Sequence, residues 1–220
     1  MKKILHISML SLLPMGYAWG DVVSNFANEK NTNCKPFPIM DKMAWEVSFT
    51  TGSFAGGYKI DQVYLSVVNA IWNSSASEQG AKFRVQIWDS AGSAPGSLID
   101  PLYGPTTVSD NLHLGVINYN SAGAALLNAN TTYWVVATVL GGNDLSVTLE
   151  ATDNHAEVSN PSGWSIGDYS LIKDSDGSVS APDKCIPYLK ITAVQVPEPS
   201  TMALLGLTGA GLALLARRRK

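Results

Sequence analysis

Asn130-Thr131-Thr132-Tyr133-Trp134-Val135-Val136-Ala137-Thr138-Val139 is nearly continuous in β-branched and aromatic residues, which fit a pleated, buried surface better than a helix. The stretch predicts a strand. Gly141-Gly142-Asn143-Asp144 follows at once and predicts a hairpin into Leu145–Leu149. Toward the N-terminus, apolar residues alternate with period two. Trp45, Val47 and Phe49 oppose Glu46 and Ser48; Val63, Leu65 and Val67 share a face of a strand over Tyr58–Val68; Phe83, Val85 and Ile87 alternate with Arg84, Gln86 and Trp88. Thr50–Gly57 reads as a turn, Asn69–Gly80 as a loop-forming insertion, and Pro95-Gly96 as the centre of a type II turn. Short extended pieces are expected around Leu102-Tyr103 and Val116–Tyr119, and a last strand over Tyr188–Val194. Residues 21–44 read as an irregular lead-in. Nothing between residues 21 and 195 keeps a helical period. Short strands separated by Gly, Pro, Asn, Asp and Ser clusters predict an all-β fold, an antiparallel β-sandwich of jelly-roll type, over residues 45–195.

The two ends have another character. Lys2-Lys3, the mostly apolar stretch Ile4–Met15 and the small residues Ala18 and Gly20 form the pattern of a signal peptide, with cleavage expected after Gly20. This implies passage through the Sec translocon and processing by signal peptidase. At the other end, Pro197-Glu198-Pro199 is followed by the uncharged run Thr201–Ala216 and by Arg217-Arg218-Arg219-Lys220. The prolines make a stiff, extended spacer. As a single transmembrane helix, the run of about 16 residues covers ~24 Å, slightly short of the ~30 Å hydrocarbon core. The basic cluster belongs on the cytoplasmic side, leaving the residues before Pro197 outside. The short span suits a removable anchor better than a permanent one.

Export changes the reading of charge and cysteine. The chain has 15 Lys and Arg against 18 Asp and Glu; without the two basic residues of the leader and the four of the tail, nine remain against 18, about −9. No basic stripe is present to neutralise phosphates, so no nucleic-acid partner is expected. Cys34 and Cys185 lie near the two ends of the exported part and predict one structural disulfide.

Pro197-Glu198-Pro199, the short Gly/Ala/Leu-rich run and the terminal Arg cluster together resemble the PEP-CTERM sorting signal of Gram-negative bacteria. The resemblance implies recognition by an exosortase, cleavage near Pro-Glu-Pro, and delivery of an inner-membrane-anchored precursor to the cell surface or extracellular polysaccharide matrix. A second resemblance covers roughly Glu46 to Val194. Ser53-Phe54-Ala55-Gly56-Gly57-Tyr58, Phe83-Arg84-Val85-Gln86-Ile87-Trp88-Asp89, Ala94-Pro95-Gly96-Ser97-Leu98 and Leu127–Val136 are similar to the choice-of-anchor R domain, an exported β-domain found with alternative C-terminal anchors. That family brings no catalytic residues to transfer.

Few residues carry chemistry. Gly163-Trp164-Ser165-Ile166-Gly167 matches the G-x-S-x-G elbow, but no histidine follows Ser165, whereas the elbow requires one later in the chain. His113 and His155 both precede it. Asp174 and Asp176, before Gly177, form a faint calcium motif that lacks the downstream Glu, and their residue types equally suit a turn. No cofactor is expected. Trp72 and Trp164 are candidate glycan contacts, because an aromatic plane carries sugar rings, although both also read as core or boundary residues. These features predict a non-enzymatic surface or matrix protein, processed by exosortase and associated with exopolysaccharide or biofilm. Alternatives are a carbohydrate-binding module with a defined glycan ligand and, third, a hydrolase of unfamiliar type.

Overall fold

The structure is a computed structural model that describes residues 20–26, 34, 36–40, 43–72, 82–106, 115–123, 125–140, 145–153, 163–173, 179–180 and 185–196. The expected leader up to Trp19 and the expected membrane helix over Thr201–Ala216 lie outside the described residues. Among the described residues no helix occurs, and so none is long and apolar enough to cross a membrane.

Fourteen strands follow in chain order: β1 (Gly20–Ser24), β2 (Phe37–Ile39), β3 (Ala44–Thr50), β4 (Tyr58–Trp72), β5 (Lys82–Ala91), β6 (Ala94–Tyr103), β7 (Gly115–Ser121), β8 (Thr132–Leu140), β9 (Leu145–Leu149), β10 (Ala151–Thr152), β11 (Ser165–Lys173), β12 (Val179–Ser180), β13 (Ile186–Pro187) and β14 (Leu189–Gln195). Twelve of them form one antiparallel sheet along the path β1-β14-β4-β7-β6-β5-β8-β3-β11-β12, with β9 on β4 and β2 on β9; β10 and β13 pair separately. The all-β prediction holds. In place of two separate sheets, the ladder bends at β6 and continues, giving a nearly closed, barrel-like sheet.

The bend has a physical cause. Up to Pro101, β6 pairs with β5, whereas Leu102 and Tyr103 pair with β7. Register shifts on the β5 side let the strand change direction, as bulges do at barrel corners. The Ser121 hydroxyl donates to the Asp100 carboxylate across the corner, and the Tyr119 hydroxyl donates to the Pro105 carbonyl at 2.7 Å. A side chain at Gly104 would strike the Tyr119 ring, so the close approach requires glycine there.

Alternation builds the core. Phe83, Val85 and Ile87 of β5 face inward with Val47 and Phe49 of β3, and meet Val63, Leu65, Ile117 and Ile191 from the other arm of the sheet. β8 is buried on both faces. Tyr133, Val135, Ala137 and Val139 point into the core, while Trp134 and Val136 on the outer face are also covered, and Trp134 Nε1 donates to Ser90 Oγ at 3.3 Å. This two-sided burial accounts for the nearly continuous apolar run from Tyr133 to Val139.

Several expectations need correction. The hairpin from Val139 into Leu145–Leu149 does not form: β9 leaves β8 and takes the edge of β4 beyond Leu65, where β14 ends, with Val147 opposite Ala70. Pro95 and Gly96 lie within β6, and the turn sits earlier, at Gly92, which has a positive φ. The Tyr58–Val68 strand runs on to Trp72, which removes four residues from the expected Asn69–Gly80 loop. The lead-in is not wholly irregular, because β1 and β2 both pair with the sheet. β11 has no counterpart among the expected strands.

Cys34 and Cys185 form the expected disulfide, with Cα atoms 5.8 Å apart and a sequence separation of 151. It fastens the segment before β2 to the start of β13. On the chain-entropy model a loop of that length contributes about 5 kcal/mol. The Cys34→Ala/Cys185→Ala variant is therefore expected to lose several kcal/mol in urea unfolding, and wild type under reductant should fall to the same midpoint; equal midpoints for the oxidised wild type and the variant would contradict this.

A second prediction concerns alkaline pH. Burial pushes the Tyr119 phenol well above its ordinary value of 10.0. Below pH 10 the phenol is protonated in both states and its contribution to stability is complete. Above it, the unfolded chain ionises first, so stability falls as pH rises. Tyr119→Phe should cost about 1 kcal/mol near neutrality through the lost hydrogen bond, and the gap to wild type should narrow in melts taken between pH 10 and 12. A constant gap would refute it.

Candidate processing junction and outer face

The described residues end at Val196. Its amide donates to the Gly57 carbonyl at 3.0 Å, next to the last β14–β4 pair, Gln195 opposite Tyr58. Pro197 has no N–H and cannot extend this ladder. Gly56 and Gly57 allow the contact: a Cβ at Gly56 would overlap the Val196 carbonyl oxygen, and Gly57 has φ +78.

Loops around this exit are tightly bonded to one another. Tyr58 and Leu127 exchange backbone hydrogen bonds of 2.8 and 2.7 Å, and Asn130 donates to Gly52 at 2.9 Å. Thr51 Oγ1 donates to the Asn128 carbonyl at 2.6 Å and accepts from the Thr131 amide at 3.0 Å. Two core tyrosines reach up beneath them. The Tyr58 hydroxyl accepts from the Phe54 amide at 3.0 Å, and the Tyr133 hydroxyl from the Asn128 amide at 2.9 Å. These bonds satisfy backbone groups that polar side chains or water would otherwise have to meet.

The N-terminal junction lies at the same end. β1 pairs with β14 so that Gly20 stands opposite Ala193 and Ser24 opposite Lys190. The residue at the expected leader cleavage thus lies on the strand beside β14, three residues short of the one before Pro-Glu-Pro, and no feature of the linear sequence announced it.

The remaining site candidates separate clearly. Pro197, Glu198 and Pro199 lie outside the described residues, as do Asp174, Asp176, His113 and His155. Among the described residues, no group of three His, Cys, Asp or Glu side chains is arranged to hold a metal. Trp164 is fully buried, stacked on Phe49 with centroids 5.9 Å apart and edge-on to Tyr58 at 4.8 Å. Its ring is a core element, closed to a surface glycan. Trp72 ends β4 opposite Leu145 and belongs to a strand instead of a loop. Ser165 opens β11 and is followed by a strand where the nucleophile elbow demands a helix.

A different group of residues makes a polar-aromatic surface, on the solvent face of the β6–β7–β4–β14 arm. Asn120 lies opposite both Gln62 and Tyr103, and Tyr64 lies between Asn118 and Lys190. Gln62 Nε2 donates to Asn120 Oδ1 at 2.7 Å, the Tyr64 hydroxyl donates to Gln62 Oε1, and Lys190 Nζ lies 4.8 Å from the Tyr64 ring centroid. Tyr103 is 61% exposed. The alternation of Gln62, Tyr64 and Ser66 with Val63, Leu65 and Val67 marks this face in the sequence. Its assembly across four strands depends on register, which the sequence does not display.

Comparison with known proteins agrees with the tail. The model for the PEP-CTERM protein-sorting motif matches residues 195–220. No curated protein matches the chain, and no solved structure does. The matched segment begins at the last residue of β14, so motif and fold meet almost without a linker.

Gly56→Ala should dislodge Val196 from Gly57. Hydrogen exchange of the peptide spanning residues 193–199, followed by mass spectrometry on the full chain, is expected to speed up by about tenfold or more, equivalent to ~1.4 kcal/mol of lost protection. Unchanged protection would show that the clamp does not hold the exit.

Proposed function

We propose that the chain is an exported β-domain, processed by exosortase and working non-enzymatically at the cell surface or in the extracellular matrix, where it associates with polysaccharide. The observation that carries this reading is the PEP-CTERM motif at residues 195–220, set directly against the last strand. That motif implies export and exosortase processing in Gram-negative bacteria; the membrane-anchored precursor and the polysaccharide association are this proposal's own extension. Removal of the tail takes away none of the described strands, the last of which ends at Gln195.

The outer face supports a second reading, a carbohydrate-binding module. Amide side chains in register offer paired donors and acceptors for vicinal hydroxyls, and Tyr103 and Tyr64 offer apolar ring surface for sugar C–H groups. Lys190 supplies a cation to this face and lies over the Tyr64 ring.

Two measurements test these readings. Cells expressing wild type and a Pro197-Glu198-Pro199→Ala variant are fractionated; wild type is expected at the lower, processed mass in the surface or matrix fraction and the variant at precursor mass in membranes. The same mass and compartment for both would sink the sorting proposal. The processed protein is then run in native gels cast with a neutral β-glucan, a galactomannan or alginate. Retardation by a polysaccharide, weakened about tenfold or more in Tyr103→Ala/Asn120→Ala, supports the outer face; no retardation in any gel removes the binding-module reading.

A further inference from the structure

The outer face of β5 is set apart by its charge. Its outward side chains are Lys82, Arg84, Gln86 and Trp88, alternating with the buried Phe83, Val85 and Ile87. Arg84 is the single arginine between residues 21 and 196. It is exposed, as is Lys82, while Gln86 and Trp88 are half-buried. Among the described residues nothing pairs with the Arg84 guanidinium. The outward neighbours in register are Leu98 and Pro101 on β6 and Trp134, Val136 and Thr138 on β8, none of them a carboxylate. Glu46 of β3, beyond Val136, faces the same way but is buried. Asp89 lies on the opposite, Tyr133 side and accepts from the Ser97 amide. Glu78, Asp110 and Asp144 belong to segments that precede Lys82 or follow Thr106 and Leu140 in sequence, so Arg84, further into the strand, is the cation assigned to this site.

The indole beside it offers a platform. Trp88 Nε1 donates to Gln86 Oε1 at 3.3 Å, which lays the ring along β5. Trp134, directly opposite and buried, backs it from β8, and Leu98, 46% exposed, extends the apolar surface onto β6. Four residues, about 13 Å of strand, lead from Arg84 to Trp88. An aromatic plane carries the C–H face of a sugar ring, and a guanidinium fork matches a carboxylate with two parallel hydrogen bonds. An isolated exposed ion pair contributes little, so the indole must hold the polymer and the arginine select it. The β4–β14 arm has no such bias, because Asp61 and Glu150 stand there with Lys59 and Lys190.

We propose that the Arg84–Gln86–Trp88 face binds an acidic polysaccharide, with a uronate carboxylate on Arg84 and a sugar ring on Trp88. This names the polymer class for the matrix reading and rests on that reading's claim of polysaccharide association. The surface is separate from the Tyr103–Asn120 face. A domain of about −9 repels a polyanion overall, so the polymer has to be held by a local contact of this kind.

The test uses the full chain with its disulfide intact, in neutral detergent, and measures its affinity for immobilised polygalacturonate. Binding is expected, at least tenfold weaker to the methyl-esterified polymer, whose carboxylates are neutral, and at least tenfold weaker in Arg84→Gln and in Trp88→Leu, with Tyr103→Ala/Asn120→Ala unchanged. Arg84→Gln removes only an exposed side chain, so its result decides the matter even if Trp88→Leu fails to fold. Preference for the ester or for a neutral β-glucan, or indifference to Arg84→Gln, overturns this site and leaves polysaccharide association standing. Dextran sulfate bound as tightly as polygalacturonate and regardless of Trp88→Leu shows bare charge attraction and also overturns it. Failure to hold any of these polymers overturns the site and the association together.

Discussion

Trp164 packed between Phe49 and Tyr58 is the contact on which the closed shape depends. Phe49 belongs to β3 and Tyr58 to β4, strands on opposite arms of the hydrogen-bonded path. Among the described residues no ladder joins those arms on the side away from β6, although β1 and β11 approach each other there. Closure therefore comes from side-chain packing, with the indole bridging the gap. Fully burying aromatic surface of this size is worth several kcal/mol before any directional ring contact is added. The same stack places Tyr58, and with it Gly57, under the residue where the fold releases the tail.

The β14 register then settles the relation between fold and sorting signals. A strand inserted between β1 and β4 places its own C-terminal end beside the N-terminal end of β1. Antiparallel pairing alone brings the two expected processing junctions together. The Thr51–Gly57 and Ser121–Thr131 loops near them are bonded to each other through the Tyr58–Leu127 backbone pair and through Thr51.

The sequence shows β8, β5 and β14 well because each has a local signature: an apolar run buried on both faces, a clean alternation, and an alternating stretch before a proline linker. Partners are another matter. Gly141-Gly142-Asn143-Asp144 has the composition of a hairpin turn, yet Val147 and Leu149 find a better apolar edge on β4, and that edge lies more than seventy residues away in sequence. Pro95-Gly96 looks like a turn by composition, but Gly92 supplies the positive φ and the bulged β5–β6 pairing accepts the proline. β11 is hidden by its interruption: between Ile166 and Ser170 the register against β3 shifts, and Gly167 packs on Ser48, so no steady alternation survives to be read. The disulfide is legible from the export context; the outer polar face is not, since its residues come from four strands and share only their register.

The final β14–β4 pair and the Val196–Gly57 hydrogen bond both lie before Pro197. Among the described residues, a cut beyond that point breaks no ladder hydrogen bond and removes no core residue. The described barrel is complete before the tag begins, which is the physical condition for a sorting signal to be discarded.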